Sequence, residues 1–292
     1  MMDQNFVITT DSCSDLLDAQ VKEMNIQVVP LSVEIKGKTY LNYPDERYLK
    51  NETFYDDLRN KEVAITSLVN VGQFMEFFES FLKQDKDILY IGFSSALSGT
   101  VQSARIAAET LKDIYPLRKI IIVDSLSASM GLGLLIYYAY LETQKGKSIE
   151  EVAQWVEDHK LNLCHLFTVD DLGTLKRGGR LSGAQALLGS LLKVKPVLHV
   201  SDEGKLVPIK KVRGRKTSLE TLVDIMKSSI IEPENQVIFI SHGDAIEDAK
   251  YTADLIQKNI GVKEFVFGFV GPVVGAHSGP GTIAVFFMGN KR

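Results

Sequence analysis

The residues best placed to do chemistry lie near the end of the chain, where Gly271-Pro272-Val273-Val274-Gly275-Ala276-His277-Ser278-Gly279-Pro280-Gly281 surrounds one imidazole with four glycines and two prolines. Glycine at that density lets backbone approach a ligand closely, and proline fixes the path. The segment reads as a glycine-rich loop between two strands, with His277 either incidental or held in position as a titratable group. A second cluster is Ser94-Ser95, followed by Ser98-Gly99-Thr100. It follows an apolar run at 87–93 and precedes a helical pattern, so hydroxyls and unpaired helix N–H groups meet at the carboxyl end of a strand, a setting suited to a carboxylate or phosphate. The same serines also suit simple helix capping. Thr66-Ser67, after apolar residues 63–65, is a third hydroxyl pair that reads equally as a turn or cap. His242, in Ser-His-Gly-Asp, is a weaker candidate, and His159, His165 and His199 sit in ordinary helix or strand patterns.

Several chemistries are excluded by inspection. The chain has no GxxxxGK[ST] phosphate loop, no GxGxxG after a strand and no HExxH. Gly92-Phe93-Ser94-Ser95-Ala96 approaches a GxSxG nucleophile elbow but carries alanine at the last position. Cys13 and Cys164 are the only cysteines and form no CxxC pair, so neither a disulfide framework nor a cysteine zinc site is expected.

These residues are carried by alternating strands and helices. Strands are expected at 6–9, 87–93, 119–123 and 164–169. Helices are expected at about 14–24, from a cap at Asn70 through Phe74, Phe77, Phe78 and Phe81, at 100–113 and at 126–143. A capping box, Ser148 with Glu151, opens another helix ending near 160. A strand-rich excursion occupies about 26–65. Beyond 163, residues 194–200 and 206–212 flank Ser201-Asp202-Glu203-Gly204 as a hairpin, and helix, strand, helix, strand, strand follow. The expectation is an α/β protein of two domains. Residues 1–162 form a Rossmann-like parallel sheet with helices on both faces, and 163–292 form a mixed α/β domain.

The 292 residues are 45% hydrophobic and 24% charged, the balance of a folded globular chain. A net charge of −4 gives no overall attraction to nucleic acid or to an anionic membrane. The charge is uneven, because residues 176–216 hold eleven Lys or Arg against two Asp or Glu. This stretch is either a solvated face or a docking surface for an acidic partner or a phosphate-bearing ligand. It lacks the interleaved aromatics that stack nucleic acid bases. The longest apolar stretch, 130–141, is too short and too glycine-broken to span a bilayer, and the polar first sixteen residues point to the cytoplasm.

In their order and spacing, the blocks ITTDSCSDL, TSLVN, SSALSGTVQSA, VDSLSASMGLG, DDLGTLKRGGRLSG, KPVL and GPVVGAHSGPG resemble the signature blocks of DegV proteins over nearly the whole chain. The resemblance implies a bacterial fatty-acid-binding protein with two α/β domains and a lipid held between them. It also implies service as the binding subunit of a fatty-acid kinase that forms an acyl phosphate, with at most transient membrane contact. No metal or cofactor is implied beyond the bound long-chain fatty acid, and the kinase would supply ATP. Carried over residue by residue, the carboxylate site would comprise Thr66, Ser94 or Ser95, and His277, with Arg180, Lys176 and Arg177 serving the kinase or the acyl phosphate. The chain departs from the pattern at TSLVN, Ala96 and Val101, which bear on loop shape and tunnel wall. Two other readings use the same residues. One is an acyl hydrolase or transferase with Ser95 as nucleophile and His277 as base; the other is a binder of a small phosphorylated metabolite.

Overall fold

The computed structural model describes residues 5–181 and 194–292. The end of the basic, glycine-rich segment at 182–185 and Lys193 lie outside the described residues. The first part of the chain runs β1 (Phe6–Asp11), a 3-10 turn (Ser12–Ser14), α1 (Asp18–Glu23), β2 (Gln27–Val29), β3 (Ser32–Ile35), β4 (Lys38–Leu41), α2 (Asn51–Arg59), β5 (Ile65–Ser67) and α3 (Val71–Leu82). Then come β6 (Asp87–Gly92), α4 (Thr100–Ile114), β7 (Ile120–Asp124), α5 (Met130–Gln144) and α6 (Ile149–His159). The remainder is β8 (Leu163–Thr168), α7 (Leu172–Arg177), β9 (Val194–Val200), β10 (Leu206–Arg213), α8 (Arg215–Ser229), β11 (Val237–His242), α9 (Ile246–Asn259), β12 (Glu264–Phe269), α10 (Pro272–Ser278) and β13 (Ile283–Met288).

Three sheets result. β2-β1-β6-β7 is wholly parallel, and Ile88, Leu89, Tyr90 and Ile91 of β6 are all buried, as a strand covered on both faces requires. The second sheet, β10-β9-β8-β13-β11-β12, is mixed, with β11 and β12 parallel and its other pairs antiparallel. The third, β4-β3-β5, is a small antiparallel sheet.

Side-chain alternation splits the mixed sheet into two working faces. Leu166, Ile238, Ile240, Val285 and Phe287 pack with α8 and α9 residues in one core. Phe167, Phe239, Ala284 and Phe286 join the core of the parallel sheet. Helix α5 lies between the sheets and is apolar all round, with Met130, Leu132, Leu134, Leu135 and Ile136 fully buried.

Local signals account for most elements. Asn70 and Gln73 close a capping box on α3, Ser148 and Glu151 one on α6, and Phe74 and Phe78 form the buried stripe of α3. Three expectations need correction. The excursion at 26–65 contains helix α2, where Phe54 and Tyr55 bury against Val33 and Ile35. Its strand β2 joins the parallel sheet. The long helix expected from 126 begins at Met130, because Leu126 and Ser129 take positive φ (51° and 53°) and break the turn. The segment around His277 is a helix, α10, rather than a loop: Pro272 sits in its first turn, where a missing N–H costs nothing, and Gly279 at φ 79° ends it. No helix among the described residues is long and apolar enough to cross a membrane.

Hydrogen bonds pin the layers to one another. Tyr55 Oη of α2, which packs with the small sheet, donates to Val270 O just after β12 at 2.6 Å. The Arg292 guanidinium donates to Leu126 O, Ser127 Oγ and Lys160 O on one side and to Leu163 O and Ser201 O on the other, at 2.8 to 3.1 Å. Burial lowers the pKa of Arg292 to about 10, so it remains a cation at neutral pH. Arg292→Met is expected to leave these acceptors unpaired and to lower unfolding free energy by about 3 kcal/mol, measured by urea denaturation.

Candidate functional site

Thr66 is carried by β5, an edge strand whose register sets Thr66 opposite Val33. His277 is carried by the last turn of α10. Threonine Oγ1 and imidazole Nε2 meet at 2.8 Å, joining residues 211 positions apart. The other ring nitrogen, Nδ1, is buried with no partner, and it lies over Gly178 so closely that a Cβ there would fall 2.4 Å from it. Glycine at 178 is therefore what admits the ring.

Burial, and secondarily the Arg180 guanidinium, lowers the His277 pKa from its ordinary 6.5 to about 4. At neutral pH the ring is uncharged. One tautomer then serves an anion best: with the proton on Nε2, His277 donates to Thr66 Oγ1 and leaves the threonine O–H free to donate onward. Arg180 supplies the positive charge. Its Nε donates to Leu97 O at 3.3 Å and its Nη1 to Gly178 O at 2.5 Å, tying the β6–α4 loop to the residues that follow α7.

Thr66, His277 and Arg180 line an interior cavity of about 190 Å3 between the sheets, together with Ser67, Ser98 and Gly99. Ser98 Oγ lies 2.8 Å from Thr100 Oγ1 at the first turn of α4. The other walls are mainly apolar, with Phe93 and Leu97 from the β6–α4 side, Phe167 and Phe286 from the mixed sheet, and Val273 from α10. The arrangement is a polar end bearing hydroxyls, a cation and a helix N-terminus, opening on a greasy interior.

The structure brings together only part of the set expected from sequence. Ser94 is fully buried and turned away, its Oγ donating to Gly204 O at 2.9 Å as another pin across the seam. Ser95 is exposed, its backbone N–H donating to Asp124 Oδ1, and neither serine lines the cavity. Lys176 and Arg177 are exposed on α7 outside the cavity, where Arg177 donates to Thr174 Oγ1 at 3.0 Å. Ser98 is the serine of this loop that lines the cavity. Residue type in a serine-rich loop does not tell which hydroxyl faces inward, whereas its position beside Gly99 at the helix start does carry that signal. His165 is buried in the cavity wall with both nitrogens engaged, Nε2 by the Ala128 amide and Nδ1 by Leu163 O. His242 lies outside this cavity; its Nδ1 accepts the Ala245 amide.

A family model described as an uncharacterised protein family, DegV, matches residues 5–290. A DegV domain-containing protein of Clostridium perfringens is 45% identical over 99% of both chains, and one from Lactococcus lactis is 34% identical over 98% of both. Among solved structures, the DegV fatty-acid-binding protein of Bacillus subtilis superposes with a TM-score of 0.84 at 30% identity, covering 97% of this chain and 99% of its own. A fatty-acid-binding DegV family protein of Thermus thermophilus gives 0.85 at 28% identity, covering 96% and 98%.

Because the folded pKa of His277 lies below its unfolded value, the unfolded chain takes up the proton first as pH falls. Stability tied to this ring is complete above about pH 6.5 and is lost as pH drops toward 4. Ligand-free wild type is therefore expected to lose more unfolding free energy between those pH values than His277→Gln, measured by denaturant titration across the window. Ser94→Ala, which strips a buried carbonyl of its donor, is expected to cost about 1 to 3 kcal/mol in the same measurement.

Proposed function

The chain belongs to the DegV family, and we propose that it binds a long-chain fatty acid in the cavity between its sheets and presents the carboxylate to a partner kinase in the cytoplasm for acyl-phosphate formation. The observation that carries this reading is the bonded Thr66–His277 pair beside Arg180 at the polar end of an otherwise apolar interior cavity. The carboxylate accepts from the Thr66 hydroxyl and from Ser98 beside the N-terminus of α4, with Arg180 balancing its charge. Each buried methylene contributes about 0.8 kcal/mol, so a chain of roughly 14 supplies on the order of 11 kcal/mol before ordering costs. Tail burial sets affinity, and the polar end sets orientation.

In phosphoryl transfer, positioning and charge stabilisation dominate. A subunit that holds the acceptor oxygen beside a guanidinium needs no nucleotide site of its own. Lys176 and Arg177, exposed on α7 near Arg180 in sequence, suit contact with the kinase or the acyl phosphate. The hydrolase alternative draws no support from the geometry: His277 Nε2 is engaged by Thr66, and Ser95 stands outside the cavity.

Mass spectrometry of the purified protein, native and after organic extraction, is expected to find a long-chain fatty acid in near one-to-one ratio. A ligand-free mass, with no uptake of added fatty acid, would overturn the reading. Thr66→Ala is expected to reduce acyl-phosphate formation with the kinase about tenfold or more while lipid is still retained; unchanged phosphorylation would remove Thr66 from the carboxylate site. Arg180→Glu is expected to abolish kinase coupling with lipid still bound.

A further inference from the structure

Asp15 stands behind the cavity wall, where two of the elements that build the wall begin. It closes the Ser12–Ser14 turn at φ 49° and ψ 26°, a left-handed conformation that aspartate tolerates. Its Oδ2 accepts from Ser129 Oγ at 2.6 Å. Ser129 is the N-cap residue of α5 and makes no cap hydrogen bond, its hydroxyl being turned to the carboxylate instead. The other oxygen, Oδ1, lies against Gly271, the N-cap of α10, so closely that a Cβ there would fall 2.5 Å from it. One carboxylate thus meets the starts of both helices, and neither helix has a side-chain cap of its own.

Ser129 and His277 line the cavity described above, whereas Asp15 lines a separate pocket of about 490 Å3. Helix α10 is seven residues long, about two turns, so the placement of its start is passed to His277 in its last turn. Tyr55 Oη packs midway along it, where a Cβ on Gly275 would fall 2.6 Å away, and leaves the helix little room to bend. An anion at a helix start is favoured by the dipole and the unpaired N–H groups. A neutral acid is not, and it must place a proton of its own among groups that donate to it.

We propose that Asp15 is a positioning residue for the head site: its ionised carboxylate holds α10 against the start of α5 and so fixes His277 against Thr66, and protonating it loosens that arrangement. Where it concerns the acyl carboxylate, the proposal rests on the fatty-acid reading above; where it concerns His277, it stands without it.

The charge is not there for stability. Burial, opposed by the Ser129 hydroxyl and the Gly271 amide, raises the pKa of Asp15 from its ordinary 3.8 to about 7. The folded chain therefore holds this proton to higher pH than the unfolded chain, and stability from the group is lost as pH rises across that window. An asparagine of the same shape would avoid the cost. Among the ionisable groups around it, Asp11 on β1 adds to the rise. Burial keeps Cys13 in the turn and Tyr55 on α2 protonated, and it lowers the pKa of His242 on β11. Around the pocket, Asp18 pairs with Lys22, Asp45 pairs with Arg47, Glu46 accepts from Asn51, and Lys50 is the cation on the wall.

The test follows the His277 ring by NMR in delipidated full-length protein from about pH 5.5 to 8.5, with its signals assigned by their absence in His277→Gln. The ring itself becomes charged only near pH 4, so an inflection near pH 7 in its signals reports a neighbour. Wild type is expected to show that inflection and Asp15→Asn to lose it. Ser129→Ala, which withdraws a donor from the carboxylate, is expected to move it to higher pH, and with wild type it decides the matter if the asparagine variant does not fold. With carboxyl-13C-labelled octadecanoic acid bound, the carboxyl signal is expected to follow the inflection in wild type and not in Asp15→Asn. Flat His277 signals in wild type, an inflection that persists in Asp15→Asn or stays in place in Ser129→Ala, or a bound carboxyl signal indifferent to it would overturn this inference alone. Failure to bind octadecanoic acid, with the His277 inflection present, would overturn the fatty-acid reading and leave Asp15 as the positioning residue of His277.

Discussion

The structure depends on a gap that packing alone would close. Protein interiors are close-packed, and an apolar void forfeits the dispersion contacts of its lining. Here the gap lies where the carboxyl ends of the parallel strands face the inner rows of the mixed sheet, and the two layers are held in place by directional bonds: Ser94 to Gly204 O, and Arg292 to acceptors on both sides. Such bonds fix a spacing, whereas apolar contact would merely reduce it. The cavity is therefore a property of the seam, and its walls can be apolar without collapsing.

The polar end follows a different rule. A buried cation would be costly in an empty cavity, and the imidazole avoids that cost by being neutral. The permanent charge is assigned to Arg180, which is exposed and anchored by two main-chain carbonyls. His277 thus acts as a positioning group, fixing the direction of the Thr66 hydroxyl and held by the absence of a side chain at Gly178. Neutral pair and exposed cation together offer an anion two kinds of recognition, directional donation and charge, from different parts of the chain.

Much of this was legible in the sequence, and what was not has identifiable causes. Continuous apolar runs marked β1 and β6, and capping boxes marked α3 and α6, because those signals are local. His277 stood out because only a specialised backbone needs four glycines and two prolines around one ring; the same density hid that the segment is helical. Thr66 stayed ambiguous because its partner is 211 residues away. Ser94, Ser95 and Ser98 share one loop and one residue type, and their orientations are decided by Gly204, Asp124 and Thr100 respectively. The cavity wall was illegible for the same reason, since Phe167, Ala284 and Ser241 become neighbours only through the register of three strands distant in sequence.

Binding and protonation are coupled in such a site. Burial holds the empty imidazole neutral, but a carboxylate brought within reach of Thr66 favours the charged ring, so the pKa of His277 rises when the anion is bound. By linkage, an anion that raises this pKa binds more tightly as pH falls below the raised value. Tail burial carries no such dependence. For the amphiphilic ligand proposed above, affinity set by the tail and orientation set by the head would therefore respond to different variables, the head loosening or tightening with pH while the tail stays in place.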